Sequence, residues 1–304
     1  MDMERDNDPV CGGDAIVPSL TISSQRRHEL LGTTPGIPRS GGATRHLMHV
    51  VLRILKSWPR LMALHQTIHL PPMIHRVQLT GETPVPLANC YALVKLWADH
   101  TSSTAKLVHD SVLQEARRLL REHHSYNETD LLAAAQSLLI LAIILFFSIE
   151  GAPSRGDDGP SDAQLLVDLW DVKYRLATTG LFLAPEMSHH LPPWKAWALF
   201  SAKRRTILCL NHLEWAWSLL HGYPVLTCFE LGPLPAPAAG HLWRETDEGK
   251  WRGLYGDWLH QWKDGGYLMV ELFHIKAGEP LDARSEAWLA EAGELGVMLM
   301  AEGR

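Results

Sequence analysis

The sequence predicts an all-α protein, an irregular array of many helices around a buried apolar central helix. Three observations carry that prediction. Apolar residues recur at three- and four-residue steps through most of the chain, and no stretch sustains the two-residue alternation of a half-buried strand. Proline, glycine and capping residues fall where the periodic stretches start and stop. The strongest case is Leu191–Gly222, which contains Trp194, Trp197, Trp215 and Trp217 with the adjacent pair Arg204 and Arg205. Thr206, Leu210, Leu213, Trp217 and Leu220 share one helix face, and Ile207, Leu208 and Trp215 make its neighbour apolar too, as in a buried helix. Pro192 and Pro193 suit the start of this helix, and Gly222 and Pro224 its end. Arginines inside such a helix need buried or interfacial partners. For Arg205 the expected partner is a carboxylate, which an alanine substitution would strand.

Taken in order, residues 1–45 are rich in Gly, Pro, Ser, Thr and charge and read as a flexible leader; Arg26, Arg27, Arg39 and Arg45 form no dense basic run. From His46, the positions Leu47, Val50, Val51, Ile54 and Leu55 predict a helix that Trp58-Pro59 breaks. The next helix opens at Pro84 and Pro86 and places Leu87, Tyr91, Val94 and Ala98 on one face beside Cys90 and Trp97. A further helix spans about 103–123, with Val108, Val112, Ala116, Leu119 and Leu120 inward and a charged outer face from Gln114 to Glu122.

The run from Leu131 to Phe147 is capped by Asn127 or Thr129, with Glu128 and Asp130 at the positive end of the helix dipole. Its length is at the short edge of a bilayer span, Gln136 and Ser137 interrupt it, and no Lys or Arg anchors its ends, so it reads as a core helix. The segment 151–163 is a loop dense in Gly, Pro, Ser and Asp where the array could subdivide, and Ser161 with Gln164 forms a capping box for the next helix. After the central helix, 231–240 is a proline-rich extended connector. Trp251, Leu254, Trp258 and Trp262 then follow helical spacing, with Trp243 before them; core packing explains them better than base stacking, because Asp247, Glu248 and Asp257 repel phosphate. The last helix opens at Asp282, with Trp288, Leu289, Ala292, Leu295 and Leu299 inward.

Composition bounds the function. Of 304 residues, 46% are hydrophobic and 20% charged, ample for a folded core. A net charge of −6 argues against a chain devoted to nucleic-acid backbone binding. Cys11, Cys90, Cys209 and Cys228 are isolated, with no C-x2-C pair, and the N-terminus has no apolar core of signal-peptide type, so a reducing compartment is expected. HQTIH at 65–69 spaces two histidines by four, but Gln66 stands where a metalloprotease has its general base, and Pro71-Pro72 follows. The doublets His123-His124 and His189-His190 diverge by about 100° on a helix and do not ligate one metal together. Glycine-rich dinucleotide and phosphate loops and nucleophile elbows are absent from the sequence. The residues thus imply no catalytic site, no metal, no cofactor and no enzyme.

Seven ordered segments, however, carry a resemblance: 52–62, 70–79, 84–97, 128–147, 194–208, 242–262 and 271–300. In order and approximate spacing, over roughly residues 46–302, they resemble the C-terminal regulatory region of fungal zinc-cluster transcription factors. The resemblance implies one all-helical domain over 46–304 and a nuclear role in transcription, in control of a pathway or a secondary-metabolite gene cluster. Trp194, Trp197, Arg204 and Arg205 match its signature in a structural and regulatory capacity. The family's binuclear module needs six cysteines in a C-x2-C-x6-C repeat, whereas this sequence has only Cys11 before Cys90. Direct zinc-dependent DNA recognition is therefore not expected, its DNA-binding residues are unknown, and the expected partners are an intact transcription factor or the transcription machinery. Two other classes stay open: a cytoplasmic small-molecule-binding or enzymatic protein on the same scaffold, and a membrane anchor through 131–149.

Overall fold

The computed structural model describes residues 20–32, 42–64, 69–148, 162–225, 229–276 and 278–300. Among them the secondary structure is helical apart from one isolated antiparallel bridge between Pro235 and Leu268. The all-α prediction holds.

A bundle of long helices comes first. It comprises α1 (Ser24–Gly32), α2 (Gly42–Leu64), α3 (Val85–Ala98), α4 (Ala105–Glu122), α5 (Glu128–Phe147) and α6 (Asp162–Thr178). After the single turn α7 (Ala184–Met187), the long helix α8 (Trp194–His221) closes the bundle. A layer of short helices follows: α9 (Gly240–Arg244), α10 (Glu248–Gln261), α11 (Met269–Phe273), α12 (Ala283–Glu291) and α13 (Gly293–Met300).

The bundle is wrapped around α5, which packs against α2, α3, α4, α6 and α8. Asn127 caps α5, its side-chain oxygen accepting from the Asp130 N–H at 2.9 Å. Every residue from Leu131 to Ile144 is buried. The two polar residues that interrupt the run are satisfied inside the fold. Gln136 donates to the Met73 carbonyl (2.8 Å) and accepts from Gln78 (2.8 Å), while Ser137 donates to the Pro86 carbonyl (3.0 Å). By length and composition α5 would suffice to cross a membrane; here it is sheathed by its neighbours.

The punctuation read from the sequence sets the ends of α8. Pro193 precedes its first residue, and Gly222 follows its last in the left-handed conformation (φ +74°), which glycine adopts without a Cβ clash. From Ser201 to Leu213 α8 has no exposed residue.

Three expectations need correction. The leader is not flexible throughout: residues 20–32 include α1, which packs on α6 and buries Leu20, Leu30 and Arg26. Arg26 reaches the bundle interior, where Nε donates to Glu214 (3.0 Å) and Nη2 to Ser218 (2.9 Å). Lys173 meets the same carboxylate at 3.4 Å. That long-range partner is what local composition cannot reveal. Second, α2 runs through Pro59 to Leu64. The backbone hydrogen bond lost at a proline is outweighed by burial of Leu55, Trp58 and Met62 on the same face. Third, the last helix is two: Gly293, at φ +69°, separates α12 from α13. Cys90 and Cys209 are buried thiols outside any disulfide among the described residues, whereas Cys11, Cys228, the first four residues of HQTIH and most of the loop 151–163 lie outside the described residues.

Candidate functional site

Lys203, Arg204 and Arg205 are three consecutive buried cations near the middle of α8. Successive residues on a helix point about 100° apart, so their side chains fan out to three different parts of the chain. Lys203 donates to the carbonyls of Thr179 (3.0 Å) and Gly180 (3.2 Å) just beyond the end of α6, and pairs with Glu128. Arg204 grips Glu186 of α7 through two bonds of 2.8 Å, and donates further to the Leu181 carbonyl (3.0 Å) and Ser201 (3.1 Å). This is the bidentate geometry that a guanidinium and a carboxylate share. Both side chains are largely buried, at 5% and 8% exposure.

Arg205 differs. It has no carboxylate among the described residues, contrary to the sequence-based expectation. Its Nη1 donates to the Pro72 carbonyl and its Nη2 to the Ala238 carbonyl, each at 3.2 Å, and its Nε is buried without a partner. The guanidinium lies 4.0 Å from the centroid of the Trp243 ring, which supplies the attraction a carboxylate would have given. Burial pulls its pKa down to about 9, so it remains charged at neutral pH. The His75 ring also packs edge-on against Trp243 at 4.6 Å and meets Trp194 (6.4 Å) and Trp197 (6.3 Å). Burial, with the Arg205 charge second, pushes the His75 pKa down to about 4. His75 accepts the Val77 N–H on Nδ1 (3.1 Å), so the neutral ring carries its proton on Nε2.

Of the four signature residues, Trp197 lines an aromatic cavity and Trp194 packs in the same small core beside it. Trp194 and Trp197 form a second, smaller core with Ala239, Leu242, Trp251 and Tyr255. From Trp197 a file of rings runs through α10 and beyond. Trp251 follows at 5.1 Å, Tyr255 at 4.8 Å, Trp258 at 5.2 Å and Trp262 at 6.3 Å. Tyr267 continues it at 6.3 Å and stacks on Trp288 of α12 at 5.1 Å. The file bends around a cavity of about 290 Å³, at the small end of ligand pockets. Its other wall is the proline-rich connector, residues 235–239, held extended by Ala236 N–H to the Tyr267 carbonyl and Met269 N–H to the Leu234 carbonyl, both 2.9 Å. Trp288 pins the same connector by donating to the Pro237 carbonyl (3.0 Å). Proline carries no N–H, so this wall presents few unmet donors.

Arg204 and Arg205 do not line the cavity; they position what does. Arg204 fixes Glu186 in the wall, and Arg205 anchors Ala238. At the mouth, Arg284 bridges Glu271 at 2.8 and 3.1 Å. Asp264 and Glu291 complete the acidic lining. The Tyr255 hydroxyl and the Trp262 indole N–H are buried with no hydrogen-bond partner among the described residues, and burial with Glu186 nearby pushes the Tyr255 phenol upward in pKa. Among the described residues no group of His, Cys, Asp and Glu is placed to hold a metal ion.

Periodicity found the tryptophans of 242–262 but read them as core alone. Trp251 and Trp262 are buried, whereas Trp258 is partly open to the cavity and Trp243 caps Arg205. Glu186, Asp264, Tyr267, Glu271, Arg284 and Glu291 were missed altogether. They come from separate short elements, and the one local hint was the glycine pair Gly265-Gly266 following a run of tryptophans. Comparison of the chain with protein-family models, curated proteins and solved structures finds no match.

Proposed function

We propose that this chain is a regulatory domain of a transcriptional regulator, working through protein partners in the nucleus and receiving a small molecule in the aromatic cavity. One observation supports the joining of the two roles. Of the residues that carry the resemblance to fungal zinc-cluster regulators, Trp197 lines the cavity, Trp194 packs in the same small core, Arg204 holds the lining Glu186 and Arg205 the lining Ala238. A bound molecule would therefore bear on α8, which packs on α2, α5 and α6, and on the connector that links bundle and aromatic layer.

Chromatin profiling of the tagged protein, combined with transcript profiling of a deletion strain, tests the regulatory role. The expected result is occupancy at a limited set of promoters whose transcripts change on deletion. Cytosolic residence with an unchanged transcriptome would overturn it.

A further inference from the structure

The cavity's chemistry narrows what it can hold. Its walls are ring faces, which carry a negative quadrupole and attract cations. Its polar lining is acidic: Glu186, Asp264, Glu271 and Glu291 stand against Arg284, with Arg204 behind Glu186. Four carboxylates less two guanidinium groups leave two negative charges. Among the described residues neither Asp264 nor Glu291 makes an ion pair within 4 Å; Asp264 shares the field of Arg284 with Glu271, and Glu291 accepts the Gln261 amide. One wall already demonstrates the attraction, since the Arg284 guanidinium lies 5.2 Å from the centroid of the Trp262 ring. Independently, the buried and unpartnered Tyr255 hydroxyl lacks an acceptor.

We infer that the cavity selects a compact organic cation, an alkylated ammonium that also carries a hydrogen-bonding oxygen. The ammonium sits against Trp258 and Trp262 with Asp264 and Glu291 near it, and the oxygen accepts from Tyr255. The small volume excludes bulky ligands, and the charge balance excludes anions. This rests on the reading that the cavity receives a ligand, but it adds the sign of the ligand's charge, which that reading leaves open.

The test is a fluorescence titration of the full chain, monitored through its tryptophans, with choline and with its uncharged carbon isostere 3,3-dimethylbutan-1-ol. Saturable binding of choline about tenfold tighter than the alcohol is expected. In the Asp264→Asn/Glu291→Gln double variant, choline binding should weaken about fivefold or more while the alcohol is unaffected. Thermal unfolding of the variant checks that it is folded; Asp264 is exposed and Glu291 half-buried, where such changes are tolerated. Equal binding of choline and the alcohol would overturn the charge assignment and leave the ligand-receiving reading standing. Choline binding that the double variant retains in full would place the cation elsewhere and overturn the inference. Saturable binding of neither probe would overturn the inference and count against ligand reception, while the chromatin and transcript experiment judges the regulatory role separately.

Discussion

Around α5 the packing is aliphatic. Leu, Ile and Ala side chains interdigitate on every side of one helix, and the few polar groups are satisfied in place. Beyond the N-terminal half of α8 the packing is aromatic and charged: flat rings meet at 4.8–6.3 Å, a guanidinium rests on an indole, and a cavity remains. The difference has a physical origin. Branched aliphatic chains fill space to crystal-like density, whereas the rigid rings of the file meet at tilted angles and, in this layer, leave a cavity between them and the connector. The bundle is built to be stable, and the aromatic layer is built with room in it. The adjacent pair Arg204 and Arg205 repeats the contrast within two residues, one matched by a carboxylate and one held by carbonyls and a ring.

Breaking the matched pair should have the largest effect. Arg204→Met strands Glu186 in a largely buried position and is expected to cost about 3–5 kcal/mol in urea unfolding, with loss of probe binding in the cavity. If Glu186→Gln in the same chain restores much of that stability, the stranded carboxylate is the cause. In the bundle, Leu139→Ala is expected to cost about 2–5 kcal/mol while leaving the cavity's binding unchanged once the protein is folded. A comparable loss of binding in this variant would mean that the two regions are mechanically one.

The third prediction uses a histidine from each region. Burial pushes both His75 and His212 down to about 4, and His212 is further tied to the Met298 carbonyl at 3.2 Å. Because the folded state binds these protons less readily than the unfolded chain, stability is fully present above the unfolded pKa of about 6.5 and is lost as pH falls towards 4. Each should account for about 2 kcal/mol of that loss by pH 5. Denaturant unfolding of His75→Gln and His212→Gln between pH 7 and pH 5 should show a shallower slope for each, and an unaltered slope in both would refute the assignment. The smallest effect is expected at the unmatched arginine. Arg205→Met removes a desolvated cation together with two carbonyl bonds and a ring contact, and should change stability by about 1 kcal/mol or less in either direction. A loss as large as that for Arg204→Met would reveal a carboxylate partner after all.

Most of the bundle was legible in the sequence because its signals are local. Asn127 caps α5 and Gly222 ends α8, and in the outer layer Asp282 caps α12. The departures were decided by distant partners. Pro59 stays helical because its neighbours are buried by other helices, and α1 is ordered because Arg26 finds Glu214, far along the chain. The cavity was the least legible part. Each of its residues is ordinary in its own neighbourhood, and its Trp and Tyr spacing matches that of a core helix.

The sequence by itself determined the class of the fold, the position of nearly every long helix, and the burial of α5 and α8. Helical periodicity, capping and proline or glycine punctuation act within a few residues and need no knowledge of the rest of the chain. Only the tertiary structure decided which charge met which partner: that Arg204 has a carboxylate and Arg205 an indole, and that rings from α8, α10, α12 and the 264–268 turn enclose a common space. Side-chain charge and ring geometry act across the distances that folding closes, so their consequences appear only once those distances are closed.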